Sequence, residues 1–260
     1  AVGAKPIAIT DCLNYGNPEK GDVFFDFEEG VRGIADAANQ LSFIPNEPCP
    51  VISGNVSFYN ESKEGNAVVP SPVIVCVGKI NDYKKAQTMQ IHKPDLYLIC
   101  IGKREPQFAG TQIAPFLKGD LGPAPQVNFS EEKKQNQVIH EMIDNAFLTA
   151  CHDISTGGLW ISLVEMCCGE RSQPKVGFQL DLTEIDSVET ALFSENGGYV
   201  IAVEEAHIKA VKTRLKTQKI AHLMIGKTSS EMTISCKTKA KTFELSLSKI
   251  IQEREKENLK

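Results

Sequence analysis

The sequence predicts two α+β domains that meet near residues 89–95, and three observations carry the expectation. Short apolar runs rich in β-branched residues recur, for example at 6–10, 72–78, 96–102 and 199–203, punctuated by Gly, Asn and Pro. Between them lie stretches whose apolar residues repeat at spacings of three and four, the mark of amphipathic helices. A polar segment, 81–93, has no strong period and ends at Pro94, which places the boundary there.

The elements follow in order. Residues 6–10 read as a strand that stops before Asp11, with a turn at Cys12-Leu13-Asn14-Tyr15-Gly16-Asn17-Pro18. Phe24, Phe27, Val31, Ile34, Ala35, Ala38 and Leu41 then form one stripe of a helix, with Arg32 solvated beside it. A loop with three prolines, 42–50, delivers the chain to a second strand ending at Gly54. Strand, helix, strand in this order implies neighbouring strands, with a right-handed crossover if they are parallel, so Asp11 and the Gly54–Ser57 stretch leave by one edge. Residues 61–71 read as a surface loop and 72–78 as a buried strand. Beyond the boundary, 96–102 is a core strand and 107–127, rich in Gly and Pro, an irregular loop. Val138, Ile139, Met142, Ile143, Ala146, Phe147 and Ala150 predict a helix over 131–150, with His140 exposed on it. His152-Asp153 lead into Gly157-Gly158 and a helical run to Cys168, read as a strand-to-helix turn capped by Asp153 or Ser155. Asn196-Gly197-Gly198 is a tight turn into the strand 199–203. Ile208, Val211 and Leu215 mark a short helix, 222–225 and 232–236 strands, and 248–260 a charged terminal helix.

Composition narrows the function. With 260 residues, 42% hydrophobic and 23% charged, the chain can bury a sizeable core, and disorder is not expected. A formal net charge of -5 argues against a nucleic-acid binder but not against a nucleotide whose charge magnesium neutralises. The eight cysteines are scattered without a C-x-x-C pair, which suits small buried hydrophobes in a reducing compartment better than zinc ligands. No apolar run has the length of a membrane helix and the start lacks a signal-peptide layout, so the expectation is a soluble cytoplasmic protein. The chain opens without Met and runs directly into a strand, as if cut from a longer one. Neither a P-loop nor a glycine-rich dinucleotide fingerprint occurs.

The chemistry concentrates at Ser53-Gly54-Asn55-Val56-Ser57. An amide, a hydroxyl and a backbone free of Cβ beside a strand suit a magnesium–phosphate site, and a plain polar turn fits the same residues. Asp11 on the same predicted edge favours the first reading; its other role is an Asx turn or cap.

Three motifs carry a resemblance. Thr10-Asp11-Cys12-Leu13-Asn14-Tyr15-Gly16-Asn17-Pro18-Glu19, Ser53-Gly54-Asn55-Val56-Ser57-Phe58-Tyr59-Asn60-Glu61 and His152-Asp153-Ile154-Ser155-Thr156-Gly157-Gly158-Leu159 resemble the synthetase subunit of the phosphoribosylformylglycinamidine synthase family, in its C-terminal half. Each half of that subunit is similar to aminoimidazole ribonucleotide synthetase. The resemblance implies an α+β half with an N-terminal ATP and metal-site domain at 1–92, whose mixed sheet forms a barrel with a partner copy. An α/β sandwich domain follows at 93–260. It implies an ATP-dependent ligase of purine biosynthesis that converts formylglycinamide ribonucleotide, with ammonia from glutamine, to the amidine. By motif position, Asp11 and Gly54 contact ATP, Asn55 ligates Mg2+, and Ser57 binds the ribonucleotide. The family's catalytic histidine and most of its acidic magnesium ligands lie in the N-terminal half. No catalytic residue is therefore expected here, and this chain alone is expected to be inactive. The implied partners are that N-terminal half, a glutaminase subunit and a small bridging subunit, with a homodimer as a further expectation and neither nucleic acid nor membrane. Thr156 replaces a family Asp, and Asn196-Gly197-Gly198 replaces a more polar turn, so neither receives a role. The alternatives are another ATP-using enzyme of the superfamily and a non-catalytic, nucleotide-holding half.

Overall fold

In the computed structural model, residues 1–168 and 176–257 are described, and the chain divides into two units, Ala4–Asn81 and Asp82–Lys260, the latter joined by Ala1–Gly3. The last three positions of the charged helix expected over 248–260 lie outside the described residues.

The smaller unit is a three-stranded sheet with one long helix. Strand β1 (Lys5–Asn14) is central, β2 (Val51–Ser57) lies parallel to it on one side, and β3 (Ser71–Lys79) antiparallel on the other. Helix α1 (Gly21–Gln40) connects β1 to β2, as a parallel pair demands, since a tight hairpin cannot reverse the chain twice. Two expectations need correction. Neither β1 nor β2 stops at its polar motif: the ladder continues from the register pair Asp11 and Gly54 to the register pair Asn14 and Ser57. And β3, read as buried, is exposed along its whole length, with Val73 and Val75 more than half accessible, because α1 covers only part of the sheet. An apolar run signals avidity for cover, not which molecule supplies it.

The core of this unit is small. Leu13, Tyr15 and Val23 are buried, with Phe27, Ile34 and Phe58 packed against them. The Tyr15 ring meets Phe27 edge-on, with centroids 5.3 Å apart, and Phe27 meets Phe58 at 5.0 Å. The Tyr15 hydroxyl is buried without a hydrogen-bond partner and points at Gly30, where a Cβ would collide with it.

The larger unit has a seven-stranded sheet. It comprises β4 (Tyr97–Ile101), β5 (Ala150–Asp153), β6 (Gly177–Leu182), β7 (Tyr199–Val203), β8 (His222–Ser229), β9 (Thr233–Thr238) and β10 (Thr242–Ser246), in the order β10-β9-β6-β8-β4-β7-β5. Pairing is antiparallel except between β6 and β9. Its helices are α2 (Phe129–Asp144), α3 (Gly158–Cys168), α4 (Val188–Phe193), α5 (Glu205–Thr217) and α6 (Leu247–Glu257). Alternation along the strands feeds two cores: Leu98 and Cys100 pack with α3 and α6, Ile99 and Ile101 with α2 and α5. The helix expected to reach residue 150 ends at Asp144. Ala146 enters the left-handed region (φ 55°), the Phe147 N–H donates to the Met142 carbonyl, and Ala150 starts β5. His140 is not free on the surface either; its Nδ1 lies 2.9 Å from the Gly3 carbonyl oxygen. No helix among the described residues is long and apolar enough to cross a membrane.

The Tyr15–Gly30 contact yields a prediction. Gly30→Ala forces the ring or helix to shift and costs about 1–3 kcal/mol by denaturant unfolding. Tyr15→Phe removes a buried unpaired hydroxyl, is neutral or stabilising, and recovers much of the loss in the double variant. Strong destabilisation by Tyr15→Phe alone would contradict this packing.

Candidate functional site

The parallel register of β1 and β2 sets Asp11 beside Gly54, Cys12 beside Asn55 and Asn14 beside Ser57. At Gly54 a Cβ would lie 2.8 Å from the Asp11 Cγ and 3.0 Å from Oδ2, so the carboxylate rests across the bare Cα of the neighbouring strand. Only glycine leaves that room. Ser53 is tied into the same ladder through its carbonyl, which accepts from the Thr10 hydroxyl at 2.8 Å.

The sequence motifs are thus brought level, but not all onto one face. Paired residues of parallel strands share a face and successive ones alternate. Asp11 and Gly54 stand on the face of Leu13, which packs beneath α1; Asn55 and Ser57 stand on the other. Asp11 and Asn55 therefore do not converge on a single ion. Ser57 is held by Asn60, which sequence reasoning passed over: the Asn60 amide donates to the Ser57 hydroxyl at 3.1 Å, the Ser57 carbonyl at 2.9 Å and the Tyr15 carbonyl at 3.0 Å. Lys20, just before α1, pairs with Glu61 at 2.6 Å and anchors the end of the second motif; its hydrogen bond holds the Glu61 pKa down. Among the described residues no group of three or more His, Cys, Asp or Glu is arranged to hold a metal ion. Asn55 brings one neutral oxygen. These residues alone do not build a magnesium centre.

The third motif lies in the larger unit. His152 and Asp153 end β5 as strand residues, not as caps. The His152 ring bridges two carboxylates, Nδ1 to Asp153 at 3.2 Å and Nε2 to Glu165 on α3 at 3.1 Å. Glu165 sits 13 positions away and carried no signal of its own. Burial disfavours the charged ring, but the two carboxylates outweigh it and the His152 pKa is raised. The hydrogen bond from His152, opposed by burial, holds Asp153 down to about 2.

A second cluster surrounds the 194–198 turn. Arg104, past the end of β4, donates to the carbonyls of Asn196 (2.8 Å), Ser194 (3.4 Å) and Gly197. Burial lowers the Arg104 pKa and raises that of Glu132 on α2, and each charge counters the shift of the other. Glu195 Oε1 accepts from the Gly157 and Gln112 amides.

The His152 bridge has a pH signature. A raised histidine pKa contributes stability that is complete below its unfolded value near 6.5 and is lost as pH rises through the folded value. The depressed Asp153 contributes above its ordinary value and loses that contribution as pH falls toward about 2. Urea unfolding at pH 5 to 9 is expected to show wild type losing more stability than His152→Gln on the alkaline side; parallel curves would contradict the bridge.

Comparison with known proteins agrees with this layout. Residues 1–80 match the N-terminal domain, and residues 93–236 the C-terminal domain, of AIR synthase related proteins. A phosphoribosylformylglycinamidine synthase subunit PurL from Methanothrix thermoacetophila is 41% identical over 210 residues, 79% of this chain and 27% of the relative. One from Pelagibacter ubique is 33% identical over 249 residues, 94% of this chain and 33% of the relative. The chain thus spans about a quarter to a third of these curated relatives. Among solved structures, PurLQS from Thermotoga maritima superposes with a TM-score of 0.70 at 16% identity, over 96% of this chain and 39% of that one. T. maritima PurL complexed with FGAR gives 0.71 at 15% identity over 96% and 40%, and PurL complexed with ATP 0.67 at 14% over 95% and 38%. At these identities the likeness shows the shared mixed α+β fold. Both domain matches and the curated relatives assign the family: the chain belongs to the AIR synthase related proteins and is PurL-like among them.

Proposed function

We propose that this chain is the C-terminal synthetase half of a phosphoribosylformylglycinamidine synthase acting in the cytoplasm. The reaction joins ammonia derived from glutamine to formylglycinamide ribonucleotide at the expense of ATP, giving the amidine. The observation that carries the reading is 41% identity to a PurL subunit over 79% of the chain. The solved PurL structures whose ligands are ATP and FGAR support the same substrates here.

In this reading, residues 1–92 form the nucleotide domain and 93–260 the second domain. Asp11 contacts ATP, and Gly54, whose missing Cβ leaves room for the Asp11 carboxylate, contacts the nucleotide through its backbone. Ser57, held by Asn60, presents its hydroxyl to the ribonucleotide. Asn55 is exposed and offers one amide oxygen, so magnesium is expected to arrive with the phosphates and not as a resident ion of this chain. The exposed valines of β3 are expected to be covered by a matching sheet from the N-terminal half or, for the chain alone, from a second copy. The glutaminase and small bridging subunits complete the assembly, a reading supported by the PurLQS complex of T. maritima.

Two measurements test this. The chain alone is expected to show no turnover with ammonia, ATP and formylglycinamide ribonucleotide, and to gain it on addition of the N-terminal half; turnover by the chain alone would overturn the division of labour. Calorimetry with magnesium and ATP is expected to give weak binding to wild type that drops about 10-fold in Asn55→Ala, about 1.4 kcal/mol. Equal binding would remove Asn55 from the site.

A further inference from the structure

The irregular loop 107–127 is fastened to the rest of the larger unit by few bonds, and their arrangement is unequal. At its start, the Asn196 amide donates to Gln107 Oε1 at 2.6 Å, and that same oxygen accepts from the Gln126 N–H at 3.0 Å, drawing the two ends of the loop together. Within its first third, the Gln112 N–H donates to Glu195 Oε1 at 3.0 Å. The same Glu195 oxygen accepts from the Gly157 N–H at 2.8 Å. Gly157 is the residue before α3 and lies in the left-handed region (φ 81°), where the Ile161 side chain would obstruct a Cβ. Its amide points outward from the helix start and has no carbonyl of its own turn to bond. The backbone that carries Glu195 is not free to follow the loop, because the Arg104 guanidinium grips the carbonyls on both sides of it.

We propose that Glu195 is a latch: one carboxylate oxygen, on a turn clamped by Arg104, holds both the first third of the 107–127 loop, at Gln112, and the start of α3. Rotation of that single side chain releases both amides together, so opening of the loop and loosening of the helix start are one event. The Asn196 side chain is a separate anchor: its amide holds the loop ends through Gln107, and its Oδ1 accepts from the Glu105 N–H just before the loop at 2.9 Å. The inference is independent of the nucleotide reading, since every group involved lies within the larger unit.

Amide hydrogen exchange on the full chain tests it. In Glu195→Ala, exchange at Gln112 and its neighbours and at Gly157 is expected to rise together by about 10-fold or more, the scale of a lost charge-assisted hydrogen bond, while β4 and β7 amides stay protected. In Glu195→Gln, which keeps the oxygen and the volume but not the charge, both segments are expected to fall between wild type and the alanine variant. In Asn196→Ala, loop amides are expected to exchange faster with Gly157 unchanged. The latch is overturned if Glu195→Ala or Glu195→Gln affects only one of the two segments or neither, or if Asn196→Ala loosens Gly157 as well.

Discussion

The parallel register of β1 against β2 is the constraint from which the smaller unit follows. Once Asp11 is level with Gly54, Leu13 and Tyr15 must continue under α1, and Asn55 and Ser57 must emerge on the opposite face. Shifting the pairing by one residue would put a side chain where the Asp11 carboxylate lies and would turn Leu13 out of its core. The glycine is therefore not a strand terminator but the gap that allows a charged side chain to lie across a sheet.

The two units solve the problem of burial differently. The seven-stranded sheet is sandwiched, and β4 and β7 lose almost all contact with solvent. The three-stranded sheet has one helix for cover and leaves the valines of β3 accessible, an arrangement that gains stability from an outside sheet.

Much of the frame was legible. The 3.6-residue periodicity of α1 and α5 and the apolar runs of β4 and β7 identified those elements, because their sequences face one environment on each side. Strands β6 and β10 went unread: Phe178, Leu180 and Leu182 alternate with polar residues over only six positions, and β10 is five residues long. The burial of β3 was misjudged because Val73, Val75 and Val77 look the same whether the cover is internal or external. Asp11 and Gly54 were visible as motif residues, yet the face each occupies depends on register, which no single strand encodes. Arg104, Glu195 and Gln112 were invisible as a group, since their bonds span some 80 to 90 positions and the individual residues are unremarkable polar side chains.

One substitution isolates the contact between Asp11 and Gly54. Gly54→Ala inserts a methyl group where the carboxylate rests. Calorimetric titration of the variant with magnesium and ATP, with its unfolding midpoint recorded alongside, is expected to show a folded protein whose nucleotide affinity has fallen about 10-fold or more. A folded Gly54→Ala protein that binds the nucleotide as wild type does would contradict the assignment of this strand pair to the nucleotide site.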